Sequence, residues 1–342
     1  MRYVPILKYK DRIDLVAYEK LSDEIKNNIT PLIEVFQNDK IGLEKIKGDK
    51  SAFVNLDYNN GISFKSCVED FKQIYTTHPK ITPVINSAYP FNDLSKKEAI
   101  SLMRAFINMG FNEYAVKINS IHTLYIQDQL ETMLLMFDDF SKVTFFLDID
   151  YAYKYHKSTI INDFEKTLKY LRDNINENIT KIVLCGSIVP MQSKEFISFD
   201  GDNGENDKNI ITNHLYSAFM ELRDSHKELD LYYSDYNIDE KNALTDDSPI
   251  ITSFYPVIKY TMSNADVMVY KSSVKREFKK YPEIAKEISS SSEYFGAEHC
   301  QGCQYIKKAI NEDMGGKNTG SPATWKTNMM THHITVMANL LK

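Results

Sequence analysis

Charged side chains stand at the ends of several short apolar runs in this 342-residue chain. Lys8 closes the first of these runs, and Glu34, Asp57 and Asp148 close three others. Converging carboxylates can act as general bases or hold Mg²⁺ or Mn²⁺, which prefer oxygen ligands. A nearby lysine could neutralise a phosphate or, if desolvated, form a Schiff base. We predict these four residues as a catalytic set, and their types leave the choice between these reactions open.

A wider group of polar and aromatic residues accompanies the catalytic set, and we predict that it binds substrate. Its members are Lys10, Asn86, Lys117, Asp235, Trp325, His332 and His333. The last three follow a glycine-rich segment, 315–322, which lacks P-loop spacing but could fold over the strand ends as a lid. The alternative places Trp325 in a hydrophobic core. For the charged ring as a whole, the alternative is a plug of mutual ion pairs.

Short β-rich runs alternate with helical patterns through the first two thirds of the chain, and these elements must position the polar residues. Strands are predicted at 3–7, 29–35, 51–57, 81–86, 114–118, 142–149, 179–185 and 229–234, with helices at 13–27, 64–75, 96–109, 121–140, 159–174 and 210–223. Such alternation implies a parallel sheet. Eight units in about 235 residues favour a closed (β/α)₈ barrel, whose active sites lie at the carboxyl ends of the strands.

The last third of the chain lacks this alternation. We predict an α+β appendage over 240–342, packed on a barrel formed by 1–239. The runs 256–261 and 266–271 predict a β-hairpin, and helices are predicted at 278–288, 305–311 and 325–341. No linker rich in Pro, Gly or Ser separates the two parts.

Composition excludes several classes of function. The formal net charge is −6 with acidic and basic residues interspersed, which disfavours nucleic-acid binding because phosphate contacts need clustered Lys and Arg. Four cysteines are too few for a secreted disulfide framework. The sequence shows neither a signal-peptide pattern nor an apolar run of membrane-spanning length. We therefore expect a cytoplasmic protein with no membrane partner.

The segment His299-Cys300-Gln301-Gly302-Cys303, followed later by His332-His333, contains part of a zinc-binding pattern. Two cysteines at this spacing suit tetrahedral zinc. There is only one such pair, however, and the two later histidines are distant in sequence and adjacent to each other. We favour two small buried thiols and a histidine at a helix start, and we assign no metal ligand.

Three phrases of the sequence resemble the beta protein family of phages and bacteria. They are 3–10, 29–35, and Trp325 with His332-His333. The resemblance spans the chain and implies a role in phage–host conflict, without specifying a reaction.

The polar residues of the shared phrases are Lys8, Lys10, Glu34, His332 and His333. The resemblance favours Lys8, Lys10 and Glu34 as site residues over Asp148 and Asp235. Where the family tends to have Gly-Glu, this chain has Asp11-Arg12, and where it tends to have Gly-Asp, this chain has Gly302-Cys303. The second departure weakens the zinc interpretation further.

Two functions remain as expectations. The first is an enzyme on a phosphorylated or nucleotide-like small molecule, such as a metal-assisted hydrolase. No cofactor is assigned, and Mg²⁺ or Mn²⁺ are the candidates. The alternative is a non-catalytic sensing or protein-binding module of an anti-phage defence system, with a partner protein from the same operon. Direct nucleic-acid processing is disfavoured by the acidic balance.

Overall fold

The computed structural model describes most of the chain. The described residues are 2–8, 13–36, 50–57, 64–86, 101, 104–106, 108–111, 113–119, 121, 137, 139–175, 179, 181–190, 207–239, 241, 255–275, 277–311 and 320–342, without the side chains of 36, 56–57, 64–68 and 86.

Eight parallel strands close into a barrel, which confirms the predicted (β/α)₈ fold. They are β1 Tyr3–Lys8, β2 Leu32–Phe36, β3 Ala52–Asp57, β4 Ile81–Asn86, β5 Tyr114–Ile118, β6 Val143–Asp148, β7 Lys181–Gly186 and β9 Asp230–Asp235. Strand β9 pairs with both β7 and β1, and these two ladders complete the ring.

The described helices are α1 Ile13–Glu19, α2 Asp23–Asn27, α3 Phe64–Thr77, α4 Lys157–Asn174, α5 His214–Ser225, α6 Lys280–Ser289, α7 Gln301–Ile310 and α8 Pro322–Leu340. The predicted helix over 13–27 divides into α1 and α2 because the Ser22 side chain accepts the N–H of Ile25 and caps a new start. None of the described helices is both long enough and apolar enough to cross a bilayer.

Two predicted helices fall largely outside the described residues. Residues 101, 104–106 and 108–109 of the predicted helix 96–109 are helical. Residues 122–136 of the predicted helix 121–140 are not described. Its predicted end was wrong, because Asp139 caps a separate 3₁₀ turn at Phe140–Lys142 that leads into β6.

Apolar side chains form two layers about the barrel strands. A cluster inside the barrel contains Val4, Ile6, Leu32, Val84, Ala115, Phe146, Val183 and Cys185. A larger cluster lies between the strands and the helices and continues into the C-terminal third. Because side chains alternate along a strand, Lys8, Glu34 and Lys117 face the interior, two residues beyond Ile6, Leu32 and Ala115.

A small antiparallel sheet lies outside the barrel. Strands β10 Val257–Thr261 and β11 Val267–Lys271 form the predicted hairpin. Strand β8, Asp207–Ile211, pairs with β11, so the prediction of a helix beginning at residue 210 was wrong. The three middle residues of β8 are exposed and two are polar, so periodicity carried no strand signal there.

Candidate active site at the carboxyl ends of the strands

A layer of polar side chains caps the apolar interior of the barrel at the carboxyl ends of the strands. Strands β1, β2, β3, β5 and β6 contribute Lys8, Glu34, Asn55, Lys117 and Asp148, and Tyr236 follows β9. All six are buried. Register places Lys8 beside Glu34 and Glu34 beside Asn55. We call these six residues the polar layer.

Lys117 is the central cation of the polar layer. Its Nζ lies 2.5 Å from Glu34 Oε1, 2.7 Å from the Tyr236 hydroxyl and 3.5 Å from Asp148 Oδ2. The Tyr236 hydroxyl donates to Asp148 Oδ2 at 2.7 Å. These contacts give each buried charge an opposite or hydrogen-bonding partner, which burial of ions requires.

Lys241, beyond the end of β9, adds a second cation to the same carboxylate. Its Nζ lies 2.9 Å from Asp148 Oδ2 and 2.7 Å from Asn119 Oδ1, and it also contacts Asp150 Oδ1. Asp148 therefore lies between two ammonium groups, one inside the barrel and one after its last strand.

The protonation states of three groups in the polar layer are fixed at neutral pH. Burial alone would raise the pKa of Asp148, but Lys241 and Lys117 outweigh it and lower the pKa to about 2. Burial alone would lower the pKa of Lys117, but Glu34 and Asp148 hold it above its usual range. Burial and the nearby carboxylates raise the pKa of Tyr236 well above 10. Lys117 is thus a fixed charge, and its amine is unsuited to forming a Schiff base.

Two similar turns redirect the chain after β6 and β9. Asp148 Oδ1 accepts the N–H of Asp150 at 2.8 Å, and Asp235 Oδ1 accepts the N–H of Asn237 at 3.0 Å. Asp150 and Asn237 have φ of 63° and 57°, a conformation that Asp and Asn tolerate better than other side chains. The second turn contains Tyr236, whose ring lies inside the barrel.

A pair of aspartates lies beside Lys8. Asp14 Oδ2 accepts the backbone N–H of Lys8 at 2.8 Å, and Asp239 Oδ2 accepts from Lys326 Nζ at 2.7 Å. Burial raises the pKa of Asp14 to about 7, with repulsion from Asp239 adding to burial and Lys326 opposing it. Burial would also raise the pKa of Asp239, but Lys326 and Lys8 outweigh it and hold that pKa below its usual range. Carboxyl groups with pKa values pushed apart in this way suit acid–base chemistry.

Asn55 offers an unused acceptor in the polar layer. Its side chain is 1% exposed, and its Oδ1 has no hydrogen-bond partner among the described residues. Leaving a buried polar atom unsatisfied costs about 1–3 kcal/mol. A ligand with an N–H or O–H group at this end of the barrel would satisfy it.

The structure brings together four of the residues predicted from the sequence: Lys8, Glu34, Lys117 and Asp148. Lys10 lies outside the described residues, as do the side chains of Asp57 and Asn86. The backbones of these two residues end β3 and β4.

Asp235 lies on the outer face of β9, away from the polar layer. Its Oδ1 accepts from the Tyr3 hydroxyl at 3.0 Å, and its Oδ2 lies 3.1 Å from His333 Nε2. His333 Nδ1 lies 2.8 Å from Thr261 Oγ1. An acid–imidazole–hydroxyl chain is the arrangement of a nucleophilic triad, but all three side chains are 0% exposed. These hydrogen bonds therefore fasten α8 and β10 to the barrel, and the buried side chains offer no path to a substrate.

Trp325 and His332 lie in the core of the C-terminal third. Trp325 is 1% exposed and stacks on Tyr281, with ring centroids 5.3 Å apart. His332 stacks on Tyr260 at 4.1 Å. Sequence analysis gave this core placement of Trp325 as the alternative to a lid. Residues 315–319 of the predicted lid segment lie outside the described residues.

Sequence analysis missed Tyr236, Lys241, Asp14 and Asp239. Three of these follow β9 and one lies on α1, outside the strand ends on which the prediction concentrated. Tyr236 continues the alternation of Tyr232 and Ser234 by two residues, but the sequence does not show which face of β9 lies inside the barrel.

A cavity of about 360 Å³ opens at the opposite end of the barrel. Its lining includes residues at or near the starts of strands, among them Val4, Ala52, Ile81 and Lys181. Barrel enzymes carry their active sites at the carboxyl ends of the strands, while the amino ends serve stability. We therefore assign the candidate site to the polar layer and not to this cavity.

Clustered metal donors within the described ranges lie elsewhere. Donor atoms of His299, Cys300 and His332 lie within 4.8 Å of one another, and they form the one such group of three found there. The described carboxylates of the polar layer form no group of this kind, since lysines stand between them.

Comparison with solved structures returns barrel proteins of low similarity. A biosynthetic arginine decarboxylase of Campylobacter jejuni has a TM-score of 0.43 and 10% identity, covering 99% of this chain and 56% of that one. Triosephosphate isomerase of Bartonella henselae has a TM-score of 0.39 and 11% identity, covering 68% and 92%. The chain thus spans little more than half the length of the decarboxylase, and neither likeness bears on activity.

No curated protein matches the sequence. The family model described as "Beta protein" matches residues 3–339, nearly the whole chain. This match confirms the resemblance carried by the phrases at the two ends of the sequence. The chain belongs to the beta protein family.

Proposed function

We propose that the barrel is an enzyme of phage–host conflict that acts on a small phosphorylated or nucleotide-like molecule at the polar layer. The observation that carries this proposal is the buried ionic composition of that layer. Barrels of this kind usually fill their interior with branched apolar side chains. Replacing buried ion pairs by such side chains often leaves a protein equally or more stable. A role in ligand chemistry explains why charges stand there instead.

Each part of the site has a task in such chemistry. The Lys8 ammonium, 5.3 Å from the Tyr236 ring centroid, would neutralise phosphoryl oxygens. Lys117 and Asp148 supply fixed charges that need no reorganisation during reaction. Asp14, with its pKa of about 7, would exchange the proton. Asn55 Oδ1 would accept a hydrogen bond from the ligand.

Metal assistance by Mg²⁺ or Mn²⁺ is a separate component of the proposal. Glu34 and Asp57, two register positions apart on the paired strands β2 and β3, are the carboxylates that would hold such an ion. Phosphate chemistry commonly uses such ions to neutralise charge on the transferred group. The proposal therefore requires that ligand binding be measured with and without each ion.

Thermal unfolding tests the site with inorganic phosphate, AMP and ATP as probes, each with and without MgCl₂ or MnCl₂, and mass spectrometry follows product formation. A probe at 100 times its Kd stabilises the folded state by about 2.7 kcal/mol. We expect at least one probe to raise Tm, Lys8→Met and Asn55→Ala to abolish the rise, and the exposed control Lys72→Met to retain it. No rise and no product with any probe would refute the proposal, as would a rise that survives in both site variants.

A non-catalytic module that binds a partner protein is the second candidate. It is favoured by three large apolar side chains on the described surface outside the barrel, Ile210, Val274 and Phe278, which are 38–48% exposed. The partner would come from the same defence operon. Co-purification with such a partner, lost in Ile210→Ser and Phe278→Ser but kept in Asn55→Ala, would favour this function over the enzyme.

A further inference from the structure

A cluster of sulfur and imidazole groups lies between α7 and α8, away from the barrel interior. Cys300 is the N-cap of α7, and Cys303 lies in its first turn. His299 ends the preceding 3₁₀ turn, Ala297–His299, and His332 lies in the middle of α8. Four side chains with soft donor atoms thus meet at one place in the fold.

The hydrogen bonds of His332 direct its lone pair toward the sulfurs. His332 Nε2 lies 2.8 Å from the carbonyl oxygen of Thr261. A carbonyl only accepts, so Nε2 carries the proton, and in the neutral ring Nδ1 is left with a lone pair. Nδ1 lies 3.4 Å from Cys303 Sγ and 3.6 Å from Cys300 Sγ. Metal-binding histidines are commonly oriented in this way, by a carbonyl on the nitrogen that does not bind the metal.

Two of the separations match the sulfur–nitrogen edges of a tetrahedral zinc site. With Zn–S of about 2.3 Å and Zn–N of about 2.0 Å, a tetrahedral angle places sulfur and nitrogen ligands about 3.5 Å apart. The two distances from His332 Nδ1 to the sulfurs lie within about 0.1 Å of that value. The backbone N–H of Cys303 also points at Cys300 Sγ, at 3.4 Å, and such a bond stabilises a thiolate.

A fourth donor is present in His299. Its Nε2 is buried and has no hydrogen-bond partner among the described residues. One donor atom each from His299, Cys300 and His332 falls within a common 4.8 Å. Cys303 is not in that group of three and contacts it through His332 Nδ1. Phe295 stacks on the His299 ring at 4.4 Å and holds it in place.

Gly302 allows the cluster to form. A Cβ at this position would lie 2.3 Å from the carbonyl oxygen of Asn328 and 2.9 Å from His332 Cβ. The absence of a side chain therefore lets the first turn of α7 approach α8 closely enough for both cysteines to reach His332.

We propose that Cys300, Cys303, His332 and His299 bind one zinc ion that joins α7 to α8. The donors are buried or half-buried, and four protein ligands leave no open position, so the ion is structural. A Cys300–Cys303 disulfide is the competing state. It would leave both His299 Nε2 and His332 Nδ1 without partners.

The full chain, purified in reducing buffer without chelator, tests the site by metal analysis and by cobalt titration of the stripped protein. We expect one zinc per chain, and a thiolate-to-cobalt charge-transfer band that saturates at one equivalent. Cys300→Ser and Cys303→Ser should weaken that band, and the control Cys67→Ser, in α3, should leave it unchanged. His299→Ala should lower cobalt affinity at least tenfold.

Three results would overturn the proposal. The first is wild-type protein with no zinc and no charge-transfer band, which decides the matter even if a cysteine variant fails to fold. The second is an intact mass two hydrogens lower in the same buffer, which reports the disulfide. The third is unchanged cobalt affinity in His299→Ala, which contradicts the four-ligand site.

Discussion

The substitution Lys117→Met tests whether the polar layer is held by buried charge pairs. Lys117 and Glu34 have side chains only 2% and 6% exposed, and Lys117 is the hydrogen-bond donor to Glu34 among the described residues. Asp148 keeps Lys241 and Tyr236 as partners, so the unpaired charge in the variant is that of Glu34. Breaking a buried pair on one side costs about 3–5 kcal/mol. We expect a loss of that size in the free energy of unfolding.

Urea unfolding followed by circular dichroism measures this loss. The double variant Lys117→Met/Glu34→Gln removes the unpaired charge and should recover about 1 kcal/mol or more of it. Lys181→Met is the matched control, because its pair with Glu113 joins side chains 39% and 57% exposed, and such pairs contribute about 0–1 kcal/mol. Equal losses in Lys117→Met and Lys181→Met would refute the argument, as would a double variant less stable than Lys117→Met.

Three further predictions concern other buried groups. The pKa of Asp14 is about 7 in the folded state and about 3.9 in the unfolded state. Between these pH values Asp14 is protonated in the folded state and ionised in the unfolded state, so the free energy of unfolding falls as the pH rises. The stability of Asp14→Asn relative to wild type should therefore rise by up to about 4 kcal/mol from pH 4 to 8, and a difference independent of pH would contradict the assignment. Gly302→Ala should cost about 1–3 kcal/mol in urea unfolding because its Cβ meets backbone, whereas the exposed neighbour Gln301→Ala should change stability by less than about 0.5 kcal/mol. His333→Leu removes a partner of buried Asp235 and should lower stability by about 1–3 kcal/mol; unchanged thermal unfolding would show that this contact does not fasten α8.

The barrel was predictable because its signal is repeated and local. Each barrel strand is a short apolar run, and each helix has apolar residues at helical spacing. Errors at single boundaries therefore did not change the number of predicted strands. Strand β8 failed for the opposite reason. Asp207–Ile211 has an exposed middle and pairs with a strand more than fifty residues later, and nothing local marks such a partner.

The site was predictable only where the sequence shows which residues of a strand face the barrel interior. In β5 and β6, Lys117 and Asp148 are the charged residues of mostly apolar strands and stand at or next to the last position, so the charge marks the strand end. In β9 both faces are buried, and the sequence does not say which face is interior. Asp235 was therefore predicted to bind substrate, whereas Tyr236, one residue later, faces the barrel interior.

Helix α8 shows how one element serves both parts of the molecule. Residues seven apart lie on the same face of a helix, and α8 carries two such pairs one residue out of step. Trp325 and His332 face the C-terminal core, while Lys326 and His333 reach Asp239 and Asp235 on the barrel side. A helix buried on all sides shows no amphipathic stripe, which is why the sequence did not show where its adjacent histidines point. In the fold they point to different partners, one toward the cysteine cluster and the other toward the barrel, so α8 joins the two.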